Sequence, residues 1–182
     1  TCPRVHLSQK RAAEWAEKGY TVIIAGDKNH GEVTGIAGFA QNKALVVENA
    51  EQALSLELPE LSVLIAQTTF SQEDFAKIKE ILVKKNPKIK VFDSICSATK
   101  ERQDALSLLR GRVEGILVVG GKNSANTRRL YETALTICPR ACLIEEAREI
   151  PKDFFTLSSV GITAGASTPE DIIISVEKAL KN

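Results

Sequence analysis

The chain has 182 residues, 24 of them basic and 23 acidic, with a formal net charge of +1 and 43% hydrophobic residues. This balance gives no global field for nucleic acid or an anionic membrane, and apolar runs such as Leu61 to Ala66 and Ile116 to Val119 are far shorter than the roughly 20 residues of a spanning helix. Four cysteines without the spacing of a disulfide framework read as cytoplasmic thiols or metal ligands, so a soluble cytoplasmic protein is expected.

In chain order, Pro3 suits the first turn of a helix over 4–18 that Gly19 stops, with Val5, Ala12, Trp15 and Ala16 near one face. Tyr20 to Ala25 reads as a buried strand. The stretch from Gly26 to Gly38 holds four glycines and is expected to be a long site loop rather than a simple turn. Ala44 to Val47 resumes a strand, Asn49 caps a helix over 50–56, and Leu61 to Ala66 is another strand. Gln67-Thr68-Thr69-Phe70-Ser71 leads into a helix over 72–85 with Phe75, Ile78, Ile81 and Leu82 inward, ended by Asn86-Pro87. An apolar run, Ile89 to Phe92, then hands over through Cys96 to a helix over 97–109. Strand 115–119, helix 125–137 and strand 141–144 follow. An irregular segment after Pro151 leads to strand 159–163, a turn over 164–169 and a last helix to Leu180.

The second half repeats the first. A shift of 94 aligns Cys2 with Cys96, Ile24 with Val118, Gly26 with Gly120, Lys28 with Lys122, Asn29 with Asn123 and His30 with Ser124. A shift of 97 pairs Glu73-Asp74 with Glu170-Asp171. Such self-similarity predicts two tandem α/β modules, 1–93 and 94–182. The strands are unbroken apolar runs alternating with helices, which implies parallel sheets covered on both faces. Ligands in such sheets lie beyond the carboxyl ends of the strands, where every polar motif of this chain falls. Thr1 is first, methionine is absent and no strand precedes Cys2 to match the one before Cys96, so the chain is expected to be a piece of a longer protein.

Several residue groups at those strand ends carry chemistry. A thiol at a helix start, as at Cys96, meets unpaired amides and the positive end of the helix dipole, which favours the thiolate a metal needs. The turn from Gly120 to Thr127 offers glycine amides, hydroxyls and a carboxamide, groups suited to a phosphate or diphosphate, and 165–170 is similar. An ordinary capped turn also explains both. His30-Gly31-Glu32, if extended, points an imidazole and a carboxylate to one side, as a proton-delivery pair requires, while a solvated surface pair is the plainer alternative. Thr68 and Thr69 could extend a proton relay or simply cap. Cys138 and Cys142 lack counterparts in the first module and read as small buried hydrophobes; His6 has no second signal.

In one order along the whole chain, Thr1-Cys2-Pro3-x-Val5, His30-x-Glu32-Val33, Gln67-Thr68-Thr69, Asp93-x-Ile95-Cys96-x-Ala98-Thr99 with Arg102-Gln103, Gly121-x-Asn123-Ser124-x-Asn126-Thr127-x-Arg129-Leu130, and Thr163-Ala164-Gly165-Ala166-Ser167-x-Pro169-Glu170 resemble the 4-hydroxy-3-methylbut-2-enyl diphosphate reductases of the LytB type. The resemblance implies a trefoil of three α/β modules around a 4Fe-4S cluster, of which this chain matches the second and third, with the first absent. It implies that Cys2 and Cys96 are two of three thiolate ligands, leaving one iron open to the substrate hydroxyl as a Lewis acid. His30 would contact substrate as a protonated anion partner, Glu32 would deliver protons with Thr68, and Ser124, Asn126 and Ser167 would hold the diphosphate. The implied reaction is reductive dehydroxylation of an allylic diphosphate to isopentenyl and dimethylallyl diphosphate in the non-mevalonate pathway, with ferredoxin or flavodoxin as electron donor. Ala125 stands where the family commonly has a second serine, and Ala66 where a threonine is usual. With two ligands only, this chain alone is expected to lack the cluster and to be inactive. Two other readings are a non-catalytic phosphate-binding or interaction module, which needs neither Cys2 nor Cys96, and a zinc protein built on Cys138 and Cys142, which lacks further ligands.

Overall fold

The computed structural model describes residues 2–41 and 43–181, and Thr1 of the opening motif lies outside them. The chain divides into two compact units, 1–96 and 97–182, three residues beyond the boundary set by the repeat.

In the first unit the order is α1 (Pro3–Glu17), β1 (Thr21–Ala25), α2 (Gly31–Phe39), β2 (Ala44–Val47), α3 (Ala50–Ser55), β3 (Ser62–Ala66), α4 (Gln72–Lys85) and β4 (Lys90–Phe92). All strands run parallel, in the order β2-β1-β3-β4. Because strand side chains alternate, each strand feeds two cores. Ile23 and Leu64 pack with Phe75, Ile78 and Leu82 of α4, whereas Val22, Ile24, Val63 and Ile65 pack with Ala12 and Ala16 of α1 and Val33 and Ile36 of α2. Burial on both faces explains the unbroken apolar runs. Each terminus of α4 is reinforced: Ser71 accepts from the Asp74 amide, Glu73 and Asp74 occupy the first turn, and Lys84 and Lys85 the last.

The stretch expected to be a long glycine loop is instead helix α2, and His30-Gly31-Glu32 is not extended. Gly35 makes this possible, since a Cβ there would sit 3.0 Å from Gln9 Nε2 on α1. Of the three glycines in α2 only Gly35 packs against α1; Gly31 and Gly38 have nothing within 4 Å of an added Cβ.

The second unit runs α5 (Ser97–Ser107), β5 (Gly115–Val119), α6 (Ala125–Ile137), β6 (Ala141–Ile144), two short 3-10 turns (Ala147–Glu149 and Lys152–Thr156), β7 (Val160–Ala164) and α7 (Glu170–Lys181). Its parallel sheet has the order β6-β5-β7, so β5, β6 and β7 repeat β1, β2 and β3, while no described strand repeats β4. Ile116 and Val118 face Leu130 and Ala134 of α6, and Leu117 and Val119 face Phe154 and Val176. Cys138 is buried in the first of these cores, as a small hydrophobe, and Cys142 is half-buried against the second.

Candidate functional site

The repeat is visible bond by bond, with donors 94 residues apart and the acceptors at the end of the neighbouring strand 97 apart. Gly26 N donates to Val47 O and Gly120 N to Ile144 O; His30 N donates to Asp27 O and Ser124 N to Gly121 O. The amide of Lys28 donates to Glu48 Oε1 at 2.9 Å, and that of Lys122 to Glu145 Oε1 at 2.9 Å. Each turn delivers a capping side chain to the start of the next helix, His30 on α2 and Ser124 on α6.

In the first unit this cap builds a compact polar group. His30 Nδ1 accepts from the Glu32 amide at 3.1 Å, which fixes the ring against the first turn of α2. Glu32, in the first helical turn, sends its carboxylate to β3's end: the Thr68 amide donates to Oε1 at 2.7 Å and the Thr68 hydroxyl to Oε2 at 2.8 Å. Thr68 is 5% exposed, so both bonds are shielded from competing water. On its other side the Thr68 carbonyl accepts from the Cys96 amide at 2.8 Å. His30, Glu32, Thr68 and Cys96 are therefore one connected chain of hydrogen bonds.

Gln67 holds this group in place. Its Oε1 accepts from the Asp27 amide at 2.8 Å, and its Nε2 donates to the Thr69 hydroxyl at 2.8 Å, which gives Thr69 a supporting part. A Cβ at Gly26 would meet Gln67 Oε1 at 2.8 Å and Val33 Cγ2 at 2.7 Å, so the turn before His30 closes only around glycine. Ser94, which the sequence did not single out, bridges the Ala66 amide at 3.0 Å and the Ala66 carbonyl at 2.6 Å, fixing the segment between β4 and Cys96.

Cys2 is the N-cap of α1, is exposed, and has its carbonyl taken by the His6 amide. Because α1 connects to the amino end of β1 and packs along the sheet, its N-terminus lies at the carboxyl edge, the edge that also carries Thr68 and Cys96. Both thiols suit a thiophilic metal group, one exposed and one half-buried at that edge. Among the described residues, no group of three or more His, Cys, Asp or Glu side chains is placed to hold a metal ion.

In the second unit the two glycine turns meet at Thr127. A Cβ at Gly165 would lie 2.3 Å from Thr127 Oγ1, and one at Gly120 3.0 Å from the same atom. Ser124 accepts from the Thr127 amide at 3.4 Å, Ser167 is exposed on the second turn, and Thr168 turns inward to donate to Val119 O at 2.9 Å. Asn126 Nδ2 and Thr127 Oγ1 are buried and lack a hydrogen-bond partner. A buried donor left unpaired carries a penalty of about 1–3 kcal/mol, so these atoms mark where a ligand's oxygens would be welcome. Lys122, the nearest lysine in the turn, is bound to Glu149 at 2.8 Å, leaving amides and neutral side chains to line the turn.

The family model described as LytB protein matches residues 1–181. The chain is 50% identical over 186 residues to the 4-hydroxy-3-methylbut-2-enyl diphosphate reductase of Treponema denticola, covering 99% of this chain and 64% of that one. The Campylobacter jejuni enzyme of the same name is 40% identical over 183 residues, which is 100% of this chain and 66% of the relative. Among solved structures, the E-1-hydroxy-2-methyl-but-2-enyl-4-diphosphate reductase of Plasmodium falciparum is similar with a TM-score of 0.93 at 30% identity, over 100% of this chain and 59% of that one. The chain thus spans about two thirds, or less, of the proteins it matches.

Proposed function

Because this chain belongs to the LytB protein family, we propose that it supplies two of the three α/β units of an oxidoreductase that removes the hydroxyl of 4-hydroxy-3-methylbut-2-enyl diphosphate, giving isopentenyl and dimethylallyl diphosphate. The observation that carries the reading is the Glu32–Thr68 pair, a carboxylate held by one amide and one hydroxyl at a strand end beside a cysteine. Cys2 and Cys96 would be two of the thiolates around a 4Fe-4S cluster, with the third from a unit outside this chain. When bound, such a cluster supplies the two electrons and a Lewis-acidic iron.

The chain's own residues manage protons and the anion. Replacing an allylic hydroxyl by hydrogen needs two electrons and two protons: one proton turns the leaving oxygen into water and one reaches carbon. In this step the Thr68 hydroxyl turns from donor to acceptor: a proton carried on Glu32 Oε2 passes to Thr68 Oγ1 as that hydroxyl gives its own to the leaving oxygen. The Thr68 amide then stabilises the carboxylate through Oε1. His30, with Nδ1 engaged by the Glu32 amide, presents Nε2 to substrate. Ser124, Asn126 and Ser167 hold the diphosphate, and the unpaired Asn126 amide supports that role. Ferredoxin or flavodoxin would donate the electrons, in the cytoplasm; no helix among the described residues is long and apolar enough to cross a membrane. With two of three thiolates, this chain alone would be inactive.

The test is Glu32→Gln in the full-length protein. Iron content and substrate affinity should be kept while the rate falls on the order of a hundredfold, the scale of a general acid. Turnover near the wild-type rate under anaerobic conditions with excess reductant would remove Glu32 from the mechanism. A full-length protein that held no iron with Cys2 and Cys96 intact would favour a phosphate-binding module instead.

A further inference from the structure

A carboxylate ties down the turn that carries Ser124. Glu145, the first residue past β6, accepts from the Lys122 amide through Oε1 at 2.9 Å, and the same oxygen would lie 3.9 Å from a Cβ at Gly121. The geometry points to Glu145 as a positioning residue of the diphosphate turn: by holding the Lys122 amide it sets the path of residues 121–124, and so the point at which Ser124 opens α6 and faces the anion. Its part toward the anion rests on the reading of that turn as a diphosphate site; the bond itself does not.

The first unit holds the same device at the corresponding place. Glu48 follows β2 as Glu145 follows β6, and accepts from the Lys28 amide at 2.9 Å. Each carboxylate is aimed by the side chain four residues on, which accepts from the carboxylate residue's own amide: Gln52 at 2.8 Å and Glu149 at 3.2 Å. Donor and acceptor are 20 residues apart in the first unit and 23 in the second, so the bond is kept across a three-residue difference in the segment between them. A chance surface contact would not keep its partners through such a change.

The units differ in what else holds the turn. In the first, Gln67 Oε1 takes the Asp27 amide at 2.8 Å, so two side chains grip adjacent residues. Gln67 N bonds to Ala25 O as Gly165 N bonds to Val119 O, which sets Gly165 in the place of Gln67. Glycine offers Gly121, the counterpart of Asp27, no side chain. Among the described residues, Glu145 is then the side chain that grips the backbone of this turn. The Lys122–Glu149 ion pair adds little, since both side chains are partly open to water. A carboxylate beside an anion site opposes binding by its charge, so any benefit must come through its acceptor oxygen. One substitution separates the two.

In the full-length protein, Glu145→Ala should weaken inhibition by inorganic diphosphate about five- to tenfold and raise KM by the same factor, with kcat and iron content little altered. Glu145→Gln keeps the acceptor and removes the charge, and should bind diphosphate at least as tightly as the unaltered protein. In this chain the Lys122 amide should exchange roughly tenfold faster in Glu145→Ala than in Glu145→Gln. Glu48→Ala, the same lesion at the other turn, should change diphosphate inhibition by less than about twofold and lower kcat instead, by loosening the turn before His30 and Glu32. A Gln variant as weak as the Ala variant overturns the assignment, as does a lowered melting temperature with diphosphate inhibition unchanged. Equal weakening by Glu48→Ala and Glu145→Ala would make both carboxylates general braces of the fold, which also overturns it. Ser124→Ala distinguishes the two levels. If it weakens diphosphate inhibition and Glu145→Ala does not, Glu145 alone is removed; if neither does, the turn is not the anion site and both readings fall.

Discussion

Thr68 meets Glu32 twice, and the two bonds come from different parts of the residue. The amide remains after any side-chain change, but the hydroxyl does not. Thr68→Val, close in shape, should keep Glu32 Oε1 anchored while leaving Oε2 unpaired. In the full-length enzyme kcat should drop roughly ten- to a hundredfold with KM little altered, and Thr68→Ser should recover most of it. Equal losses in the Ser and Val variants would make Thr68 a packing residue. A different residue reports pH. Burial pushes the Cys142 thiol above its ordinary value, helped by Asp153 and Glu149 nearby. The folded chain thus holds that proton more tightly than the unfolded one, so stability should decline as pH rises above about 8.5, the ordinary thiol range. Cys142→Ala should flatten that decline in a denaturant series run from neutral to alkaline pH, and iodoacetamide near neutrality should modify exposed Cys2 before Cys142.

Elements differ in how openly their sequences declare them. Helix α4 carries an apolar stripe, a serine cap and charges matched to its dipole, and its bounds of 72 and 85 are legible from residues alone. Strands β2, β5 and β6 and helix α6 are equally plain. Helix α2 is not: Gly31, Gly35 and Gly38 depress its propensity and its apolar residues do not form one clear stripe, because it is wedged between α1 and the sheet. Sequence therefore places His30 and Glu32 in the right turn but not in the right conformation. The link from Thr68 to Cys96 joins residues 28 positions apart through a backbone carbonyl, which leaves no trace in side-chain identity. At the turns themselves, Gly120 has φ +145, and a Cβ there would lie 2.6 Å from Thr168 Oγ1. Gly120→Ala should destabilise the second unit by about 1–3 kcal/mol through strain and overpacking. Gly111→Ala meets only its φ of +69, with nothing within 4 Å of the added Cβ, and should do less damage in the same thermal melt.

At the scale of the whole molecule, the two sheets should not share one stability. The first has four strands, cores on both faces and a fully buried β3; the second has three strands and an outer strand half open to water. Ordering β7 therefore removes less apolar surface from water than ordering β3, at about 25 cal/mol per Å². Its outward amides also have no strand partner among the described residues. Local opening free energies follow such differences. In native-state hydrogen exchange, amides of Ser62, Leu64 and Ala66 should outlast those of Val160, Ile162 and Ala164, and the second unit should open at lower denaturant than the first. The assignment can be checked by core truncation. Leu64→Ala and Leu117→Ala each delete a fully buried side chain and should cost about 2–5 kcal/mol. The former should shift the exchange of 62–66 and the latter that of 115–119, each in its own unit. If Leu117→Ala lowered protection in β3 as strongly as in β5, the two cores would be one cooperative body, and the weakness of the second sheet would be shared by the site at Thr68.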